Sequence, residues 1–295
     1  MSRLRATCPA KVNLSLHVAG RRGDGYHEIV TLFQAIDEWD TLEGRPAADL
    51  RLEVSDPELA GEENLVVKAA RLLQETVPAA AGRGAHLSLE KSIPVRAGLG
   101  GGSSDAAGAL VLLNALWDLG LDGRQLASLG ATLGSDVPFF VTGGTALGEG
   151  RGERITPLPS MPERKLILGT PAFGLSTAEV YGAHRAPLTV ERPDVTVPRL
   201  FVKLAEGNDF ALARNDLESA VFAECADLVA FRDALYASGA ECALVSGSGS
   251  TVFGVFREGD DVRSIARALG SRFTGYAVRA TRTVASGVRV TAATA

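Results

Sequence analysis

The sequence predicts a mixed chain of β-strands and α-helices in two parts. Three observations carry this: period-two alternation near the N-terminus, an apolar helical stripe directly behind a glycine cluster at 98–102, and a proline-rich segment near residue 160 between two patterned halves. At 295 residues, 46% of them hydrophobic and 22% charged, the chain suits one large domain or two smaller ones.

Val12, Leu14, Leu16 and Val18 alternate with Asn13, Ser15 and His17, the pattern of a half-buried strand whose polar residues share one face. Gly20-Arg21-Arg22-Gly23-Asp24-Gly25 follows as a cluster of turn formers, and residues 29–33 resume β-branched and aromatic character, which predicts a hairpin with a long tip. Residues 49–54 read as a strand, residues 64–73 as a helix capped by Asn64, and Leu87-Ser88-Leu89 as a strand running toward Pro94. The stripe of Ala106, Ala109, Leu110, Leu113, Leu116 and Trp117 places a helix over about 103–119, with Ser103-Ser104-Asp105 as its capping chemistry. A short helix over 124–133 leads to Gly134-Ser135-Asp136-Val137-Pro138, where the proline resists continuation. Three prolines within 156–163 mark a linker and divide the chain into residues 1–160 and 161–295. Beyond it, residues 165–168 and 242–256 read as strands, and 210–218, 228–237 and 261–269 as helices.

Composition narrows the function classes. A formal net charge of -5 and a pI near 5.5 give no electrostatic footprint for nucleic acid or an anionic membrane. Cys8, Cys225 and Cys242 are far apart and odd in number, without zinc or redox spacing, so reduced thiols are expected. Pro9, Lys11 and Asn13 interrupt the apolar core that a secretory signal needs, and no apolar stretch approaches the ~20 residues of a spanning helix. The cytoplasm is the expected compartment. His17, His86 and His184 lack ligand spacing and are expected to be exposed or structural.

Gly98-Leu99-Gly100-Gly101-Gly102-Ser103-Ser104 joins an extended segment to a helix, so unshielded amides and a positive helix end can converge on a phosphate. A flexible turn is the plainer alternative. The segment lacks the Gly-Lys-Ser/Thr ending of a Walker A loop, and Ser103 stands where a dinucleotide fingerprint wants Gly or Ala. Alone, Asp136 reads as a cap, Tyr26 and His27 as loop residues, and Tyr181 as a partly buried aromatic.

Together with its flanks, Ile93-Pro94-Val95-Arg96-Ala97-Gly98-Leu99-Gly100-Gly101-Gly102-Ser103-Ser104-Asp105-Ala106-Ala107 resembles the ATP-binding motif of the GHMP kinases, which include galactokinase, homoserine kinase and mevalonate kinase. Pro9-Ala10-Lys11-Val12-Asn13-Leu14 and Val245-Ser246-Gly247-Ser248-Gly249-Ser250-Thr251-Val252-Phe253 fit the same family, so three motifs in order cover the chain. Arg22-Gly23-Asp24-Gly25-Tyr26-His27-Glu28, Thr31-Leu32-Phe33-Gln34, Gly134-Ser135-Asp136-Val137-Pro138-Phe139-Phe140, Ser176-Thr177-Ala178-Glu179-Val180-Tyr181 and Asn215-Asp216-Leu217-Glu218 are similar to its diphosphocytidyl-methylerythritol kinase branch. Arg96 and Ala97 depart from it, standing where smaller residues or glycine are usual.

The resemblance implies an α+β fold in two lobes, the first like domain 2 of ribosomal protein S5 and the second ferredoxin-like, with substrates in the cleft between. It implies ATP as co-substrate with magnesium, bound along Pro94, Val95, Arg96, Ala97, Gly98, Leu99, Gly100, Gly101, Gly102, Ser103 and Ser104. Phosphoryl transfer rests mostly on positioning and charge stabilisation. The matching residues give Asp136 the acceptor hydroxyl, as base or orienter, and place Lys11 beside it, where an ammonium favours the base form and meets developing charge. Tyr26 and Tyr181 would stack on a cytosine, His27 would meet its edge, and Asn13 and Thr177 would lie near polar groups of the substrate. No acidic cluster declares the metal ligands, and a monomer or a homodimer is expected. Two rivals remain open: a related kinase of another small alcohol, homoserine kinase-like for example, and a ligand sensor on the same fold without turnover.

Overall fold

The computed structural model describes residues 3–184, 193–207 and 209–293. The first sheet is built on a long hairpin, β1 (Leu4–Arg21) and β2 (His27–Ala47), paired antiparallel around a tip at 22–26. The alternation from Val12 to Val18 and the turn formers after it produce the expected hairpin. β2 pairs twice on its other edge: its first half with β5 (Thr145–Gly150), itself paired to β6 (Arg154–Leu158), and its second half with β4 (Gly84–Glu90). β3 (Leu50–Val54) joins β4 in parallel. Against this sheet pack α1 (Leu65–Thr76), α2 (Gly101–Leu116), α3 (Gly123–Leu133) and α4 (Val137–Thr142), enclosing a core that contains Phe33, Leu87, Leu113, Trp117 and Phe139.

The second sheet is antiparallel, formed by β7 (Lys165–Pro171), β8 (Cys242–Val245), β9 (Val252–Phe256) and β10 (Tyr276–Arg282) in the order β10-β7-β9-β8. Between β7 and β8 run α5 (Thr177–Ala183), α6 (Pro193–Gly207), α7 (Glu218–Glu224) and α8 (Asp227–Ala237), and α9 (Val262–Arg272) connects β9 to β10. Chain order and strand order together are the ferredoxin-like arrangement. The last strand, β11 (Arg289–Ala292), returns to the first sheet beside β1.

Several expectations need correction. β1 is buried on both faces, not half-buried: Ala10, Val12 and Leu14 pack on Leu166, Leu168 and Phe253 of the second sheet, while Lys11, Asn13, Ser15 and His17 are also buried. Its polar face is therefore interior, and each polar group there needs a partner. α2 starts at Gly101, not Ser103, and its N-cap is Gly100 in the left-handed region (φ 72°) with no side-chain cap; Ser104 and Asp105 turn inward instead. Pro138 begins a helix, in the first turn of α4 where a missing N–H costs nothing. Thr156, Pro157 and Leu158 belong to edge strand β6, where a proline is tolerated, so the connector to β7 starts at Pro159. Residues 210–217 are not helical: Asn215 bridges to Leu16 of β1, and α7 begins only at Glu218. Among the described residues no helix is long and apolar enough to cross a membrane.

Candidate active site

The three separated motifs meet. The Lys11 amide on β1 donates to the Leu99 carbonyl (3.0 Å), Ser246 Oγ on the β8–β9 loop donates to the Gly98 carbonyl (2.9 Å), and the Thr251 amide donates to the Ala97 carbonyl (3.1 Å). The glycine loop thus lies between the first strand and the C-terminal hairpin. Gly98 (φ 75°) approaches so closely that a Cβ would come 2.0 Å from the Ser246 carbonyl oxygen. Arg96, one of the departures from the family pattern, is also left-handed (φ 54°), which explains why glycine is usual in this stretch. With no side chain capping α2, its first amides are available to an anion at the positive end of a 16-residue helix. Val95 lies half exposed at the rim of a cleft of about 550 Å3 that it and Pro94 share with Phe173 and Gly174 of the second lobe.

Beside the loop, Lys11 Nζ donates to Asn13 Oδ1 (2.7 Å) and lies 3.6 Å from Asp136 Oδ2, the lysine side chain being 4% and the aspartate 30% exposed. Asn13 Nδ2 donates to Thr31 Oγ1 (2.8 Å), which donates to the Ser15 carbonyl (2.6 Å), so Asn13 and Thr31 are satisfied in a chain inside the fold. Asp136 occupies the N-cap position of α4 without making a capping bond, which leaves its carboxylate directed at Lys11. Burial pulls the Lys11 ammonium below its usual value and Asp136 resists that pull. A Cβ at Gly247 would sit 3.2 Å from Lys11 Nζ and 3.3 Å from Asn13 Oδ1, so glycine there leaves room around the lysine head.

Where the resemblance expects the acceptor, His27 stacks on Tyr181 of α5 with ring centroids 5.1 Å apart and planes at 30°. Burial pushes the Tyr181 phenol well up, with the nearby Asp136 carboxylate adding to the shift. Thr177 Oγ1 and Ser248 Oγ share a hydrogen bond of 2.9 Å, joining α5 to the β8–β9 loop. Tyr26 stays apart from Tyr181: it is 54% exposed at the hairpin tip, with the Arg151 guanidinium 4.8 Å from its ring centroid.

Lys11, Asn13, Asp136 and the loop around 98–100 therefore converge, His27 and Tyr181 form a pair, and Tyr26 lies outside that pair. Three supporting groups carry no role in the sequence reading. Asn215 Nδ2 donates to the Val245 and Gly247 carbonyls (2.8 and 2.7 Å) and so fixes the hairpin loop; in the sequence only the Asn215-Asp216-Leu217-Glu218 stretch points to it. Ser246 and Ser248 alternate with glycines in another. Lys91, just before the loop, is buried between Asp40 (2.5 Å) and Asp105 of α2 (2.6 Å), while Asp40 Oδ1 accepts from the Ser92 and Ile93 amides (2.6 and 2.9 Å). Among the described residues no group of three or more His, Cys, Asp or Glu converges as a metal cage.

Comparison with known proteins agrees with this geometry. The GHMP kinases N terminal domain matches residues 64–144, and the GHMP kinases C terminal family matches residues 200–275. A 4-diphosphocytidyl-2-C-methyl-D-erythritol kinase of Pelotomaculum thermopropionicum is 43% identical over 267 residues, covering 89% of this chain and 92% of that protein. One of Moorella thermoacetica is 45% identical over 273 residues, covering 89% and 94%. A solved 4-(cytidine 5'-diphospho)-2C-methyl-D-erythritol kinase superposes with a TM-score of 0.79 at 38% identity, over 95% of this chain and 98% of the other. Homoserine kinase from Cytophaga hutchinsonii superposes almost as well, TM-score 0.78, at 17% identity over 99% and 98%, a likeness of fold alone. With relatives above 40% identity along nearly its whole length and motifs from both lobes meeting in one place, the chain belongs to the GHMP kinases, in the group of 4-diphosphocytidyl-2-C-methyl-D-erythritol kinases.

Proposed function

We infer that this chain is an ATP-dependent kinase of 4-diphosphocytidyl-2-C-methyl-D-erythritol, acting in non-mevalonate isoprenoid precursor biosynthesis. The reaction moves the γ-phosphoryl group to the 2-hydroxyl: a bond forms between that oxygen and the γ-phosphorus, the bond to the β-phosphate oxygen breaks, and ADP leaves. The observation that carries the reading is the 3.6 Å approach of Asp136 to Lys11 beside the glycine loop.

In this reading Asp136 takes the hydroxyl proton or holds the hydroxyl in line, and Lys11 meets the negative charge on the transferred phosphoryl group. Burial has already removed water from the ammonium, so an incoming phosphate oxygen replaces a poor environment rather than a hydrated one. Residues 94–104 hold ATP, their amides and the α2 N-terminus facing its phosphates. The Ser103 hydroxyl lies 3.6 Å from where a Cβ on Gly134 would be, two residues before Asp136, and such an oxygen donor suits magnesium, a hard cation that takes most of its ligands from phosphates and water. Bound beside the Ser103 hydroxyl, magnesium would supply positive charge against the phosphates that residues 94–104 hold. His27 and Tyr181 receive the cytosine, with Tyr26 at the hairpin tip as a further aromatic face, and Asn13 and Thr177 bond polar groups of the acceptor.

A coupled ADP-release assay with magnesium-ATP and the cytidyl acceptor, run beside homoserine, galactose and mevalonate, tests this. Turnover confined to the cytidyl acceptor is expected. Turnover of another alcohol would overturn the acceptor assignment, and ATP binding without turnover of any of them would overturn the reaction.

A further inference from the structure

The β8–β9 loop meets three parts of the site through three consecutive residues. Ser246 Oγ donates to the Gly98 carbonyl (2.9 Å), Gly247 lies where a Cβ would come 3.2 Å from Lys11 Nζ, and Ser248 Oγ shares its hydrogen bond with Thr177 Oγ1 (2.9 Å). The spacing of the glycine loop, the lysine head and α5 therefore depends on where this loop sits. The ladder of β8 and β9 ends at the Val245–Val252 pair, so residues 246–251 take their position from other contacts.

Asn215 supplies two of those contacts from behind. It is buried, its Nδ2 donates to the Val245 carbonyl (2.8 Å) and the Gly247 carbonyl (2.7 Å), and its Oδ1 accepts from the Leu217 amide (2.9 Å). Glu218 Oε1 accepts from the Val245 amide (2.8 Å), so the start of the loop is held on both sides of that residue. The segment that carries Asn215 is itself bound to β1. The Leu16 amide donates to the Arg214 carbonyl (2.8 Å), the Asp216 amide to the Leu16 carbonyl (2.9 Å), and the Val18 amide to Asp216 Oδ2 (2.9 Å). One side-chain amide thus ties the Gly247 peptide to the strand that bears Lys11 and Asn13.

We propose that Asn215 is a positioning residue for phosphoryl transfer: by holding the Gly247 carbonyl it keeps that backbone against Lys11 and Asn13 and so fixes the ammonium opposite Asp136. The glycine loop has holds of its own, the Lys11 amide on the Leu99 carbonyl and the Thr251 amide on the Ala97 carbonyl. Loss of Asn215 therefore disturbs the surroundings of the lysine head more than it disturbs the nucleotide loop. The task suits a primary amide, which offers two donors and an acceptor on one short side chain, whereas a carboxylate of the same shape would set an oxygen against two carbonyl oxygens.

The inference rests on the roles proposed above for Lys11 and Asp136, and steady-state kinetics beside urea denaturation separates the two. In Asn215→Ala kcat should fall about 10²-fold, the order that a displacement of about 1 Å costs a positioned group, while the KM for ATP and for the cytidyl acceptor each change less than about threefold. Asn215→Ser, whose hydroxyl can serve one of the two carbonyls, should fall between and stands in where the alanine variant does not fold. Asp216→Ala removes the neighbouring bond to the Val18 amide without touching the loop, and should lower the urea midpoint while leaving kcat as in the unaltered enzyme. A lowered urea midpoint with unchanged kcat in both Asn215 variants would overturn the proposal by leaving Asn215 a stabilising residue only. A raised KM for ATP at unchanged kcat would overturn it by assigning the loop to nucleotide binding, and an equal loss of kcat in Asp216→Ala would overturn it by making the effect one of general loosening. If the unaltered protein turns over no cytidyl acceptor, the kinase reading itself falls and the proposal with it.

Discussion

Two buried lysines flank the glycine loop, and they are treated in opposite ways. Lys91 lies between two carboxylates at 2.5 and 2.6 Å, its ammonium held above its usual value because those contacts outweigh burial. Lys11 has one carboxylate, at 3.6 Å, and a neutral amide at 2.7 Å, and burial wins, pulling it below its usual value. A lysine whose donors are taken by two carboxyl groups has little to give a ligand, and it ties Asp40 on β2 to Asp105 on α2 behind the loop. In the proposed reading, a lysine left short of negative charge beside the glycine loop is prepared for an incoming phosphate. In the proposed reading the same residue type, buried to a similar degree, is structural in one place and functional in the other because of the number of carboxyl groups around it and how close they lie.

The largest effects test whether that division holds. Asp136→Asn removes the group proposed to meet the acceptor hydroxyl, and kcat should fall by about 10³-fold or more while ATP binding, read by titration calorimetry, persists. Retained steady-state turnover in the purified variant would break the functional half of the comparison. Lys91→Met leaves Asp40 and Asp105 buried without their cation, and urea denaturation should show a loss of about 3–5 kcal/mol. A Lys91→Met protein as stable as the parent would break the structural half.

How much of this was legible in the sequence follows from how local each feature is. The hairpin, the Asn64 cap and the ferredoxin-like lobe's α8 and α9 have their patterns written in consecutive residues, and so have the motifs that carry Lys11, the glycine loop and Asp136. The Lys91 cluster was invisible because Asp40 and Asp105 lie 51 and 14 residues away, and no period links them. Residues 210–218 read as a helix from their apolar spacing, but Asn215 gives its side chain to the β8–β9 loop and the Asp216 carboxylate accepts from the Val18 amide, contacts that a helix there would forbid. The start of α2 was misplaced for a related reason: Gly100 caps by backbone conformation, which leaves no side-chain signature, whereas Ser104 and Asp105 look like caps and are recruited to the interior.

A smaller change converts the first lysine toward the second. Asn13→Asp places a carboxylate where the amide oxygen now lies 2.7 Å from Lys11 Nζ, at the cost of the bond to Thr31, about 1 kcal/mol. The ammonium then has an anion of its own and less to offer the transferred phosphoryl group, so kcat should fall about 10²-fold with the fold intact by circular dichroism. Unchanged kcat would mean that the shortage of negative charge around Lys11 is not what the reaction uses.

The smallest effect, and the one that reads the second lysine directly, lies in the pH dependence of stability. Burial pushes the Asp105 carboxyl up to about 7, Lys91 pulling against it and Asp40 adding to it. The rise on Asp105 and the rise on Lys91 are compatible if the buried cluster settles near zero net charge, as one ammonium, one carboxylate and one carboxylic acid; Asp105 Oδ1, buried with no hydrogen-bond partner among the described residues, is a poor place for a full charge. The folded protein then holds a proton that the unfolded chain releases above about pH 4. This group's stabilisation is complete below that pH and is lost as pH rises toward 7, at up to about 1.4 kcal/mol per pH unit. Asp105→Asn cannot titrate, so denaturation curves collected from pH 5 to 8 should show the variant gaining on the parent until about pH 7 and holding its advantage beyond. A gap between the two proteins that stays constant across that range would mean that Asp105 remains ionised against Lys91 throughout, and that the cluster carries a net negative charge beneath the phosphate-binding end of α2.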